Sequence, residues 1–583
     1  MPKDPLADGP ENDPPQHMST HTNSHSAPAP AVPTDDARQS AVPASAPSQN
    51  AATPLPAETA VSSAASSQSP SPYLSKAHCE PDPNLVVDPR ADEDYTPDEP
   101  VSKRGLQYTK KQDQVDRMGT AKLGRLILEF AIPSIVGMVI NGSYNVIDSV
   151  FLGLKLGETG LATITVATPV MTMSMAVGVL VGAGGNALAA IKLGEGKRDA
   201  TERVLGNAFI LTIALALFCT LAVQLFMDPV LHLSGSTPEV HGSAHTFISV
   251  FSLGFILQFF GMGFNNFIRT AGDPNRALYT MVIGLLAGIA FNYLFVMVLN
   301  IGILGSALAT VIGQGVTAAT VFYYFAFSKK APFKLRRPAF QLSLRLMANI
   351  CALGSASFFL QAAMVVLNLI LNNQLVLYGA TDPIAAPGAL AAFGVMQRIA
   401  MFSFLPILGI SIAVQPIMGY NFGAHSYDRV KRAFNISLAW VSSFGVFFWL
   451  ILHLFPHPIV AMFGVEAGLY DFTIKGTQIQ MFMMPLVGLQ VLVAGYFQAT
   501  GQPLKSMFVS LTRQLLFLVP LLYLLPMLLP RLLAVSSLQS LYYTYPIADL
   551  LSIVTSGSMI LVEWRRLDRL SQPAKKHHPA AAG

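Results

Sequence analysis

Charge is what this sequence lacks most. Acidic and basic residues together make up 12% of the 583, about half the usual globular share, while apolar residues reach 52%. A soluble protein so poor in charge could not cover its surface. The net charge is only +4, and the basic residues are not gathered into a stripe of the kind that tracks nucleic acid, so no nucleic-acid partner is expected. Cysteine is scarce too. Cys79, Cys219 and Cys351 are odd in number and widely spaced, which argues against a disulfide framework and against a metal cluster. The opening MPKDPLADGP has no apolar h-region, so the first membrane helix is expected to direct insertion. No ATP-binding domain or acid–base constellation stands out. The one close histidine pair outside the tails is His453 and His457, beside Pro456, and an enzyme is not expected. GVLVGAGG (178–185) lacks the preceding strand that a dinucleotide fingerprint requires; Gly178 and Gly182 instead suggest a helix-packing face.

What remains is a strong division along the chain. Residues 1–118 are rich in Pro, Ser, Ala and Thr and poor in large apolar side chains, a composition that cannot offset the entropy of ordering, and they read as a disordered cytoplasmic tail. From about residue 120, apolar stretches of about 20 residues or more recur, each long enough to cross a ~30 Å hydrocarbon core. Twelve fit between 124 and 563. With the amino terminus inside, cytoplasmic segments from Lys103 onward hold 28 Lys and Arg. The outer loops hold only Lys155, Lys475 and Arg531, and Arg398 and Arg513 fall within spans. That bias supports twelve spans with both termini cytoplasmic.

Two halves repeat. At a constant offset of 229 residues, Gly194 pairs with Gly423, Asp199 with Asp428, Gly272 with Gly501, Pro274 with Pro503 and Arg276 with Lys505. Six spans per half give both halves one topology, hence a parallel repeat about an axis along the membrane normal. The expected fold is an all-α polytopic membrane protein. It comprises an N-lobe (119–328), a basic cytoplasmic linker (329–343), a C-lobe (344–565) and a short cytoplasmic tail (566–583).

Polar groups inside the spans are the functional candidates, because lipid penalises them. Asn141, Tyr144, Asn145 and Asp148 recur at three and four residues and form one stripe on the first span. A carboxylate there is set between desolvation and its hydrogen-bond donors, so it can bind and release a proton; the plainer alternative is a helix cap near the outer interface. Asp549 and Arg398 lie at similar depth in the C-lobe, which suggests an ion pair. Arg513 is expected nearer the cytoplasm, snorkelling or bonding helix-end carbonyls. Gln361, Asn368 and Asn372 share a face of the seventh span, either to line a cavity or to bridge helices. Met171, Met173 and Met175 are among 23 methionines, whose soft side chains adapt to varied ligands.

The motifs YNVIDSVFLG (144–153), IRTAGDP (268–274), NIGILGSALAT (300–310), LGSASFFLQ (353–361), QPIMGYNFGA (415–424), QATGQP (498–503) and YPIADL (545–550) resemble the multidrug and toxic compound extrusion (MATE) family, in its DinF-like, MepA-type branch. The resemblance covers about 120–565. It implies two six-helix lobes around a central cavity. It also implies efflux of small organic cations or drugs from an inner membrane, by a monomer embedded in the lipid bilayer. Coupling would be to H+ or Na+, with no other cofactor. It assigns ion binding to Asp148, with Asn292 able to hydrogen-bond it; Asn145 and Tyr144 join them through the stripe. From the residues themselves, Asn141, Gln361, Asn368, Asn372, Asp549 and Arg398 are the candidates for a substrate cavity. There is one departure. In GIAFNYLFV (288–296), Gly288 and Asn292 stand where relatives carry Asn and Asp, so one carboxylate of the pair is missing. The alternative within the superfamily is a flippase for lipid-linked oligosaccharides.

Overall fold

A computed structural model describes residues 115–571, apart from 466 and 534. The expected tail up to 114 lies outside these residues. Among those described, nine helices are long and apolar enough to span a membrane, and two bent helix pairs add two more. The longest, Leu123–Gly194, has 72 residues and breaks at Gly157, whose φ of 60° and ψ of −139° suit only glycine. The break makes it two spans, α1 (123–156) and α2 (158–194), and brings the total to twelve.

The remainder come in chain order. They are α3 (Arg198–Leu225), α4 (Pro238–Leu253 with Phe255–Thr270), α5 (Pro274–Val298), α6 (Ile303–Ala326), α7 (Leu344–Gly379), α8 (Ala385–Gly423), α9 (Tyr427–Leu454), α10 (Tyr470–Gln480 with Met484–Ala499), α11 (Pro503–Leu532) and α12 (Ser537–Ser571). Leu217, Phe218, Leu221 and Leu225 of α3 are largely exposed, which suits a helix bathed in lipid rather than water.

The repeat is visible in backbone detail. Gly194 ends α2 and Gly423 ends α8. Gly272 and Gly501 take φ of +82° and +78°, the left-handed conformation that lets the chain reverse, and the next helix starts at Pro274 or Pro503, where a missing N–H does no harm. α4 and α10 bend by 54° and 49°, at breaks the same offset of 229 residues apart.

The halves meet through α1 and α2, with α1 packed on α8 at Ile135 and Gly409 and α2 packed on α7 and α8 near the basic loops. This seam is made of glycines. A Cβ on Gly184 would overlap the Ile350 carbonyl, and one on Gly354 the Leu180 carbonyl; Gly194 and Gly423 stand equally close to Tyr420 and Ile191. Gly178 and Gly182 pack on Phe259 and Gly263 of α4, so the expected packing face is used within the first half.

The tail boundary shifts. Residues 115–120 are helical, and Val115 and Met118 are buried. The Met118 carbonyl accepts from Asn421 Nδ2 at 2.9 Å and from Arg429 Nε at 3.3 Å, and Arg429 also donates to the Ala121 carbonyl. The polar composition hid this, because two apolar side chains and one carbonyl suffice to dock a single turn.

Candidate functional site

Among the described residues of the first half, Asp148 is the buried acid, 4% exposed. Its Oδ1 accepts from Asn292 Nδ2 of α5 and, at 2.7 Å, from Ser306 Oγ of α6. Three helices therefore converge on one carboxylate, and both partners are neutral. Directly after Asn292 the backbone widens into a π-helical turn, Tyr293–Val298. Such turns loosen the ladder and re-aim side chains, and they recur at functional sites. Asn292 is itself buried and reaches Asp148 as an amide, able to donate but not to take a proton. Ser306 lies in the NIGILGSALAT motif, but nothing in the sequence tied it to Asp148, since an isolated serine in an apolar span usually bonds its own helix. The side chains of Tyr144 and Asn145 lie outside the described residues.

Next to this group a cavity of about 420 Å³ opens within the first half. Helices α1, α2, α4, α5 and α6 form most of its wall, with Ser357, Gln415 and Gln498 from the second half closing it near the seam. Its wall mixes methionines, among them Met171 and Met175, with amides and hydroxyls; Asn141 brings in the polar stripe of α1, and Ser149 follows Asp148 in the chain. Among the described residues that line it, Arg269 is the one ionisable side chain.

Several expected cavity residues stand elsewhere. Asp549 is buried, but its partner is Arg513 Nε, not Arg398. Arg398 is exposed. Shared depth was a poor guide, because it fixes height in the membrane and not rotation about the helix. Arg513 bonds the Asp549 carboxylate instead of snorkelling or bonding helix-end carbonyls. It sits in a second π-helical stretch, Thr512–Leu518, with its guanidinium 5.4 Å from the Phe404 ring centroid. Gln361 is half-buried and Asn368 and Asn372 are exposed, and none lines this cavity. Ser357, one turn before Gln361, does line it, so the polar face of α7 starts at the cavity and climbs away from it.

The repeat sharpens the contrast between halves. At the offset of 229, Gly284 of the cavity wall corresponds to Arg513, each ten residues into its helix, and Arg269 corresponds to Gln498. One half keeps space where the other holds an ion pair. Arg269 carried no clear signal in the sequence because it falls at the last turn of a span, where a basic residue reads as a loop anchor.

Known proteins bear directly on this arrangement. The MatE family profile matches residues 133–294 and 356–524, one stretch in each half. The multidrug export protein MepA of Staphylococcus aureus is 25% identical over 406 residues, covering 67% of this chain and 85% of its own length. The MepA of Staphylococcus saprophyticus is 22% identical over 395 residues. Among solved structures, an outward-facing multidrug-resistance MATE transporter superposes with a TM-score of 0.71 at 21% identity, over 78% of this chain and 98% of the other. The MATE multidrug transporter DinF-BH, solved as a ligand complex, gives a TM-score of 0.69 at 29% identity, over 77% and 98%.

Proposed function

The chain belongs to the MATE family of multidrug efflux transporters, and from that membership we propose an antiporter that exports cationic or amphipathic organic compounds in exchange for H+ or Na+. It works from a cell inner membrane with both termini cytoplasmic, the orientation that the positions of the basic loops favour. The observation that carries the reading is Asp148 with two neutral partners. A carboxylate out of water and without a cation is costly unless something neutralises it. Asn292 and Ser306 moderate that cost by donating, but neither supplies charge. A proton or a sodium ion does. Its arrival favours whichever arrangement of α1, α5 and α6 holds the neutral site best, and a ligand moves a conformational equilibrium only by such a preference. The glycine seam supports alternating access. It closes the basic face next to Ala183, Asn186 and Ser357 of the cavity wall, and its parting would open the cavity toward the cytoplasm.

The test is efflux from membrane vesicles under an imposed pH or sodium gradient. Asp148→Asn keeps size and removes charge. We expect normal insertion and loss of extrusion against a gradient, with partial function in Asp148→Glu. Wild-type gradient dependence in Asp148→Asn refutes the role of this site.

A further inference from the structure

Arg269 has more donors than partners. It is 3% exposed, and its Nη1 donates to Asn266 Oδ1 at 2.6 Å while Nη2 lies 3.8 Å from Met281 Sδ. Its Nε has no hydrogen-bond partner among the described residues, and a guanidinium carries five N–H groups. A buried cation held by one amide oxygen and one thioether is unusual. Burial ordinarily demands a counter-charge, and no carboxylate lines this cavity among the described residues. A helix-end anchor would bond backbone carbonyls, whereas both partners here are side chains. The side chain also leans toward the start of its own helix, as helical side chains do, and α4 starts at the far side from the basic loops, so the guanidinium rises into the cavity. The architecture does not require it. At the repeat-equivalent position Gln498 is neutral and satisfied, donating to the Leu353 carbonyl at 2.9 Å and to Ser357 Oγ at 3.1 Å. Thr310 and Gln314, also in the wall, bring two further buried oxygens without partners among the described residues.

We propose that this cavity is an anion-accepting site, with the Arg269 guanidinium binding the carboxylate, or an equivalent single anionic group, of an amphipathic compound whose apolar body rests on the methionines. The planar fork of Arg269 matches a carboxylate, and Gln314 can turn its amide to donate a second bond. Cationic compounds are thereby joined by acids and zwitterions among the ligands. The inference rests on the export reading for the transport step after binding. A soluble organic acid and an anionic lipid headgroup offer the same chemistry.

Equilibrium binding of 2-naphthoate and of its methyl ester to the purified full chain in lipid nanodiscs tests the proposal. The acid is expected to bind the wild type roughly tenfold to a hundredfold more tightly than the ester, the worth of a charge-assisted hydrogen bond. Arg269→Gln should bring that ratio near one, and Arg269→Lys should keep part of it. Should Arg269→Gln fail to fold, Asn266→Asp answers instead, because it leaves Arg269 in place and supplies the missing counter-charge; the preference should vanish there too. Equal binding of acid and ester by the wild type, or an undiminished preference in a folded Arg269→Gln, overturns the site while leaving cation export intact. Failure to bind a cationic dye, with naphthoate preference retained, would instead fell the export reading alone. Displacement of naphthoate when phosphatidylglycerol replaces part of the phosphatidylcholine supports the proposal with a lipid as occupant, and no displacement supports it with a soluble acid.

Discussion

Adding one methyl group at Gly354 should hold the transporter open toward its basic face. A Cβ there would fall on the Leu180 carbonyl and Cα of α2, backbone atoms that cannot swing aside as a flexible side chain would. The two helices must therefore separate. Overpacking of this kind typically costs about 1–3 kcal/mol. The penalty applies only while α2 and α7 touch. In a state with the seam parted it disappears, so the closed-to-open ratio falls by roughly 5- to 150-fold. Nitroxide labels on cysteines introduced at Lys197 and Ala424, exposed on opposite sides of the seam, would report this as growth of a long-distance population by double electron–electron resonance, with Cys79, Cys219 and Cys351 replaced by serine. Gly394→Ala, where nothing lies within 4 Å, is the control and should be silent. A folded Gly354→Ala with the wild-type distance distribution and a lowered melting temperature would refute the reasoning. The seam would then be a fixed core contact and not a gate.

Three other substitutions probe separate contacts. Neutralising Arg513 or Asp549 alone should cost about 3–5 kcal/mol by stranding a buried charge, while the paired change Arg513→Met with Asp549→Leu should be milder, as read by thermal unfolding in detergent. Arg398→Gln, at an exposed position, should stay within about 0.5 kcal/mol of the wild type in the same assay. Asn421→Ala removes the bond to the Met118 carbonyl and should cost about 1–3 kcal/mol; enhanced proteolysis at residues 115–121 would show that the leading turn has come loose, and unchanged cleavage would argue that Val115 and Met118 dock it unaided.

Much of the architecture was legible in the sequence because lipid leaves few options. A span must be long, apolar and helical, so length and hydropathy fix its number, and the constant offset of 229 revealed the duplication before any coordinates. Asp148 was also within reach, since it lies in a motif and a polar stripe narrows its direction, and Asn292 was singled out by the resemblance as the place where an acid is missing. Tertiary partnership was not. Pairing Asp549 with Arg398 used depth alone, and a helix turned by a fraction of a revolution sends a side chain to another neighbour. The π-helical turn around Arg513 adds a further rotation that no period of 3.6 foresees. Arg269 was hidden for another reason. Charge counting treats every basic residue at a helix end as outside the membrane, and only the lean of the side chain puts this one within it.

Gene duplication starts with two copies of one device, and this chain shows how far they can part. Gly284 and its counterpart Arg513 make the first half roomy and the second stapled. The halves should consequently tolerate mutation differently. A substitution in α1, α2 or α4–α6 near the cavity alters what fits, so it passes or fails by the compound presented. One at the α11–α12 pair alters whether that half stands at all. Under selection for a new compound range, accepted changes should gather in the first half, which makes it the evolvable partner, while the second supplies the stability reserve that lets its twin vary.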